Sequence, residues 1–178
     1  MTNDLYVFHD DNSVFVDYSK ESRDYLRDSF NIEFTALEDK LYIGLYKPFN
    51  TLYLELETPS LETQLLSFQI EGESGLTPLL TDDDTLAFKR NGFISWNRQP
   101  EDAWIAKEIN GQTAYWLEVT AAVDFTALVR GLNIVFSDDQ DLKAEQPKVE
   151  RLIPVGQTSF INYHVAARNE IIQRIRNG

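Results

Sequence analysis

Short apolar and aromatic runs, each broken within a few residues by a tight turn, constrain this chain more than any other feature. Leu41-Tyr42-Ile43-Gly44-Leu45-Tyr46 ends at Lys47-Pro48, and Pro, which cannot donate to a central ladder, suits a strand boundary. Leu52, Leu54 and Leu56 then alternate with Tyr53, Glu55 and Glu57, the period of a half-buried strand. Further runs follow at 65–70, 86–88, 93–96, 114–119 and 132–136, with turn-rich joints at 71–75, 81–84, 91–92 and 110–111. Asn91-Gly92 and Asn110-Gly111 are the strongest hairpin signals, because both residue types tolerate positive φ. About seven short strands with tight turns predict a mainly β chain, an antiparallel sandwich or barrel over residues 36–145, of which a jelly-roll-like β-sandwich is the form expected here. Trp96, Trp116, Ile94, Leu54 and Phe136 are expected in the core of that sandwich, Trp96 because it runs in phase with Ile94.

The flanks read differently. Residues 1–35 form an N-terminal extension with two short strands, Leu5-Tyr6-Val7-Phe8 and Val14-Phe15-Val16, around a turn at 9–13. A helix over 20–30 is then expected, with Ser19 as its cap and Tyr25, Leu26 and Phe30 at helical spacing. Residues 146–178 form a linker and a C-terminal amphipathic helical arm, capped by Ser159 and running from Phe160 to about residue 176. Ile161, Val165, Arg168, Ile172 and Ile175 share one face of this helix. Arg174 and Arg176 sit in its last turn, where the helix dipole favours cations.

Charge narrows the choice of partner. Sixteen Lys and Arg against 29 Asp and Glu give −13 in 178 residues. Three Arg against one Glu from 159 onward make that stretch +2, so residues 1–158 carry −15. A phosphate grip needs Lys and Arg to release counterions, so specific nucleic-acid binding is not expected. An anionic membrane surface is disfavoured for the same reason, and no apolar run approaches the roughly 20 residues of a bilayer span. Asp4, Asp10 and Asp11 interrupt the start, so no signal peptide is expected. Without cysteine there are no disulfides, thiolate metal sites or cysteine nucleophiles.

Candidate chemistry is sparse. The two histidines, His9 and His164, fall in a predicted turn and in the predicted arm, outside any catalytic motif, and there is no nucleophile elbow or P-loop. No enzymatic activity and no cofactor are therefore expected. Asp82-Asp83-Asp84 and the aspartates at 138, 139 and 141 offer the hard oxygens calcium prefers, without the spacing of a twelve-residue calcium loop. Capped or solvated turns are the plainer role for them, and no metal is expected. Trp96, Trp104, Trp116 and nearby tyrosines could stack on sugars, yet buried aromatics are the commoner use. A free helix as short as the arm is marginal in water, so its apolar face must dock, either on its own sandwich or on a neighbouring subunit.

The run from Leu41-Tyr42-Ile43-Gly44-Leu45-Tyr46-Lys47-Pro48-Phe49-Asn50 through Asn91-Gly92-Phe93-Ile94-Ser95-Trp96, Trp104, Ile109-Asn110-Gly111 and Tyr115-Trp116-Leu117 resembles a β-sandwich module of tailed-bacteriophage structural proteins. Leu132-Asn133-Ile134-Val135-Phe136-Ser137-Asp138-Asp139 closes the similarity, and the tail from Phe160 to Ile172 looks like the segment that follows the sandwich in neck or head-to-tail connector components. The resemblance implies a virion structural protein, assembled in the host cytoplasm, forming a ring-type homo-oligomer with itself and contacting other neck, tail or portal proteins. Phe160, Ile161, Val165, Arg168, Ile172, Ile175 and Arg176 are then the expected assembly interface. A tail, baseplate or fibre-associated decoration is the alternative within virions, and a carbohydrate-binding module for host glycans is the alternative from another class. An acidic body and a basic arm on one chain suit head-to-tail assembly, and net negative charge in a lumen would let DNA slide without sticking.

Overall fold

The computed structural model describes residues 5–23, 29–35, 38–61, 65–97, 99 and 103–134. Phe136 and the whole expected arm lie outside these described residues, as do the aspartates at 138–141. In chain order the strands are β1 (Tyr6–Asp11), β2 (Val14–Asp17), β3 (Phe30–Phe34), β4 (Lys40–Leu45), β5 (Thr51–Thr58) and β6 (Leu66–Gly72). They continue with β7 (Gly75–Pro78), β8 (Thr81–Asp83), β9 (Gly92–Trp96), β10 (Lys107–Ile109), β11 (Gln112–Ala121) and β12 (Phe125–Ile134). All pairings are antiparallel and build two sheets in two layers. The first runs β2-β1-β4-β11-β6-β7 with β10 also on β11, and the second runs β3-β12-β5-β9-β8. No helix among the described residues is long and apolar enough to cross a membrane.

Strand alternation makes the space between the layers. Val7 lies opposite Ile43, Ile43 opposite Leu117, and Leu117 opposite Ile70, and each of these four side chains is at most 1% exposed. Full burial of one such aliphatic chain contributes roughly 1.5–3 kcal/mol. The second sheet answers with Ile32, Phe34, Phe125 and Val129, and Phe34 stacks on Phe125 with centroids 4.9 Å apart. His9 meets Phe34 edge-on at 5.8 Å across the layers. Leu54, Ile94 and Trp96 are buried as expected, and Trp96 packs on Phe49 and Trp104 at 5.6 and 6.5 Å.

Several local expectations are corrected. The turn at 9–13 shrinks to Asn12-Ser13, both at positive φ, and His9 is a buried strand residue. Of the helix expected over 20–30, the described residues show a 3-10 turn at Glu21–Arg23 and Phe30 opening β3 with its side chain buried, while residues 24–28 lie outside the described residues. The N-terminal residues are not a separate extension in space: β1 sits between β2 and β4, and β3 pairs with β12.

Residues 86–88 are not a strand. Leu86, Ala87 and Phe88 have φ of 55°, 59° and 63°, a left-handed turn that costs L-residues about 1–2 kcal/mol each. The Asp83 carboxylate holds it, accepting from the Thr85 and Ala87 amides at 2.8 Å and from the Thr85 hydroxyl at 2.6 Å. The turn delivers Phe88 into the core, where it meets Phe125 edge-on.

The two Asn-Gly pairs part company. Asn110 and Gly111, at φ 48° and 74°, make the two-residue hairpin between β10 and β11. Gly92 instead begins β9, close enough to the Asp84–Thr85 backbone that an added Cβ would lie 3.0 Å from it, while the Asn91 Oδ1 accepts from the Leu56 amide at 2.8 Å.

Candidate functional site

Phe160, Ile161, Val165, Arg168, Ile172, Ile175 and Arg176 lie outside the described residues, so the candidate surface is built from the sheets themselves. Its centre is the outer face of the first sheet. The residues alternating with the Val7-Ile43-Leu117 row point away from the second sheet, and they include Tyr6, Phe8, Tyr42 and Trp116. Trp116 is therefore buried, at 2% exposure, but in a cluster on this outer face rather than between the sheets. The reason is one of phase: Leu117 takes the inner position, so its neighbour must take the outer one.

Gly44 makes room for that indole, because a Cβ there would overlap the six-membered ring of Trp116. Phe8, Tyr6 and Tyr42 surround it with centroids 5.3, 6.1 and 6.3 Å away. The indole Nε1 donates to the Lys107 carbonyl at 2.7 Å, and Ile109 packs on the cluster, so the β10–β11 hairpin completes it.

The same face becomes ionic beside the rings. Glu118 lies opposite Tyr42 in the ladder, and the Lys40 Nζ stands 3.2 Å from its carboxylate. Burial, and then the Glu118 charge and hydrogen bond together with Asp10, push the Tyr42 phenol well above its ordinary value. Lys107 pairs with Glu71 at 2.9 Å farther along. Aromatic and ionic ends thus lie side by side on one sheet face.

A cleft of about 920 Å³ opens where β3 and β12 pair, with Glu33, Asp124, Leu61 and Val123 in its lining. That lining holds, among the described residues, two carboxylates and no imidazole, amine or guanidinium. Among the described residues no group of three His, Cys, Asp or Glu could hold a metal ion. Asp83 is spent on the left-handed turn. Trp96, Trp104 and Trp116 are each at most 6% exposed, so none offers a ring face to a sugar. Tyr46, 45% exposed and carrying the Lys47 ammonium 5.8 Å from its ring centre, is the most open tyrosine among the described residues.

Sequence reasoning missed the outer-face cluster, although its signal is present. Tyr6-Val7-Phe8 and Trp116-Leu117 put large apolar groups on both faces of their strands, which demands cover on both sides. Comparison with protein-family models gives no match, and comparison with curated proteins gives no significant one.

Proposed function

We propose that the protein is a non-enzymatic structural component of a tailed-phage virion, a neck or head-to-tail connector subunit that assembles in or on a ring around the DNA path. The observation that carries this reading is the order of motifs from Leu41 to Asp139 and their resemblance to phage β-sandwich modules. Its described elements fall within two-layer antiparallel structure: β4 and β9, the Asn110-Gly111 hairpin, β11 and the end of β12. Each step from β2 to β6 crosses between the sheets, which supports a jelly-roll-like wrapping. Charge supports the same reading. A body at −15 and a segment at +2 give complementary patches for head-to-tail contacts with copies of itself, and a negative lumen would repel DNA.

The glycan-binding alternative loses its tryptophan platform and retains Tyr46. Deleting 159–178 and measuring mass in solution tests the proposal. Loss of every species larger than a dimer, with an unchanged circular dichroism spectrum, is the expected outcome; an unchanged larger multimer overturns the arm's role. Tight DNA binding that weakens steeply with salt would overturn the sliding-channel part.

A further inference from the structure

Among the described residues five strands are paired on one side only, and β2 is the one whose sequence leaves that edge open. β7 ends at Pro78, which lacks an amide hydrogen; β8 carries two aspartates in three residues; β10 carries Lys107 and Glu108 in three; and β3 has Asn31 and Glu33 as its less buried positions. β2 reads Val14-Phe15-Val16-Asp17, and all four residues are exposed, Val14 at 65%. Exposed β-branched and aromatic residues on an edge without Pro or Lys invite another strand.

The register shows which backbone groups are on offer. The two-residue Asn12-Ser13 loop, at φ 50° and 72°, closes on the hydrogen-bonded pair Asp11 and Val14, and the next such pair is His9 and Val16. The Tyr18 amide, donating to the Val7 carbonyl at 2.8 Å, keeps the same phase. Phe15 and Asp17 therefore turn their N–H and C=O groups away from β1.

We propose that β2 is a self-association edge, where a second copy of this chain adds its own β2 antiparallel with Phe15 on the two-fold axis. This register is self-complementary at every position. Phe15 exchanges two backbone hydrogen bonds with the partner subunit's Phe15, and Val14 faces the partner subunit's Val16. Asp17, the strand's only charge, falls opposite Ser13 of the partner subunit. The two Asp17 carboxylates then sit four residues apart along the strands, about 14 Å, beyond the screening length at physiological salt. A one-step shift would break this match. The edge is distinct from the ring contact of the basic arm and does not rest on it.

Light scattering over a dilution series, on the full chain, tests the proposal with two paired variants. Wild type should show a dimerisation step that survives both high salt and deletion of 159–178. In Val14→Lys/Val16→Lys the symmetric register opposes lysine to lysine twice, and the dissociation constant should rise about tenfold or more. In Val14→Lys/Val16→Glu each lysine faces a glutamate, and dimerisation should return. Absence of that step in wild type, or equal dimerisation by the two variants, overturns the proposal.

Discussion

The six-membered ring of Trp116 occupies the space where a side chain at Gly44 would begin. Tyr6 pairs with Gly44 from the other side, so the glycine is the floor on which the outer aromatic cluster rests. Gly44→Ala should destabilise the protein by about 1–3 kcal/mol, the usual range for overpacking. Denaturant melts check this. In the Trp116→Leu background, where the ring is gone, the same change should cost clearly less, and equal costs would contradict the contact.

The left-handed turn after β8 depends on one carboxylate. Asp83→Ala removes three accepted hydrogen bonds at once and should cost about 2–3 kcal/mol. Ala87→Gly is expected to run against the usual order for these residues, because at φ 59° glycine escapes the left-handed penalty. Urea unfolding of both variants reads the two effects, and a strongly destabilised Ala87→Gly would contradict the turn.

How far the sequence could be read follows from which signals are local. Short apolar and aromatic runs between turn residues located β4, β5, β6, β9 and β11, and in β5 the alternation of Leu52, Leu54 and Leu56 comes from the chain's own pleat. Residues 86–88 look like a strand by composition, and only the distant fit of Phe88 against Phe125 together with the Asp83 cap explains the turn. Asn91-Gly92 and Asn110-Gly111 are identical as dipeptides, yet tertiary context makes one a close-packed strand start and the other a hairpin. Phe30 shows the converse: helical spacing within 20–30 gave way to pairing with Val129. For the candidate surface, Trp116 was legible as buried and illegible as to face, since that depends on which neighbour, Trp116 or Leu117, the second sheet covers.

Alkaline stability should report on Tyr42. Its folded-state value lies above the ordinary 10.0, so the phenol holds its proton more tightly in the folded chain. The associated stability is fully present below pH 10.0 and is lost as the pH climbs from there through the raised value. Tyr18, raised by burial and then by Glu21 and Glu33, acts in the same direction. Tyr42→Phe should flatten the fall in unfolding free energy above pH 10.0, as followed by fluorescence; an unchanged slope would contradict the assignment.

The hairpin between β1 and β2 holds Ser13 at φ 72°, where glycine is favoured. Ser13→Gly should raise stability by under about 1 kcal/mol, since the Ser13 amide keeps its bond to Asp10 while the left-handed strain is relieved. Thermal unfolding would check it, and a lower melting temperature would contradict the turn assignment.

The most direct test of an assembling virion component is the mass of the full chain in solution at low and at high salt. A multimer larger than a dimer that falls to dimer mass or below as ionic strength rises is the predicted result, because the body at −15 and the segment at +2 attract through screened charge. A mass no larger than a dimer at both salts, or a larger multimer that salt leaves unchanged, would contradict it.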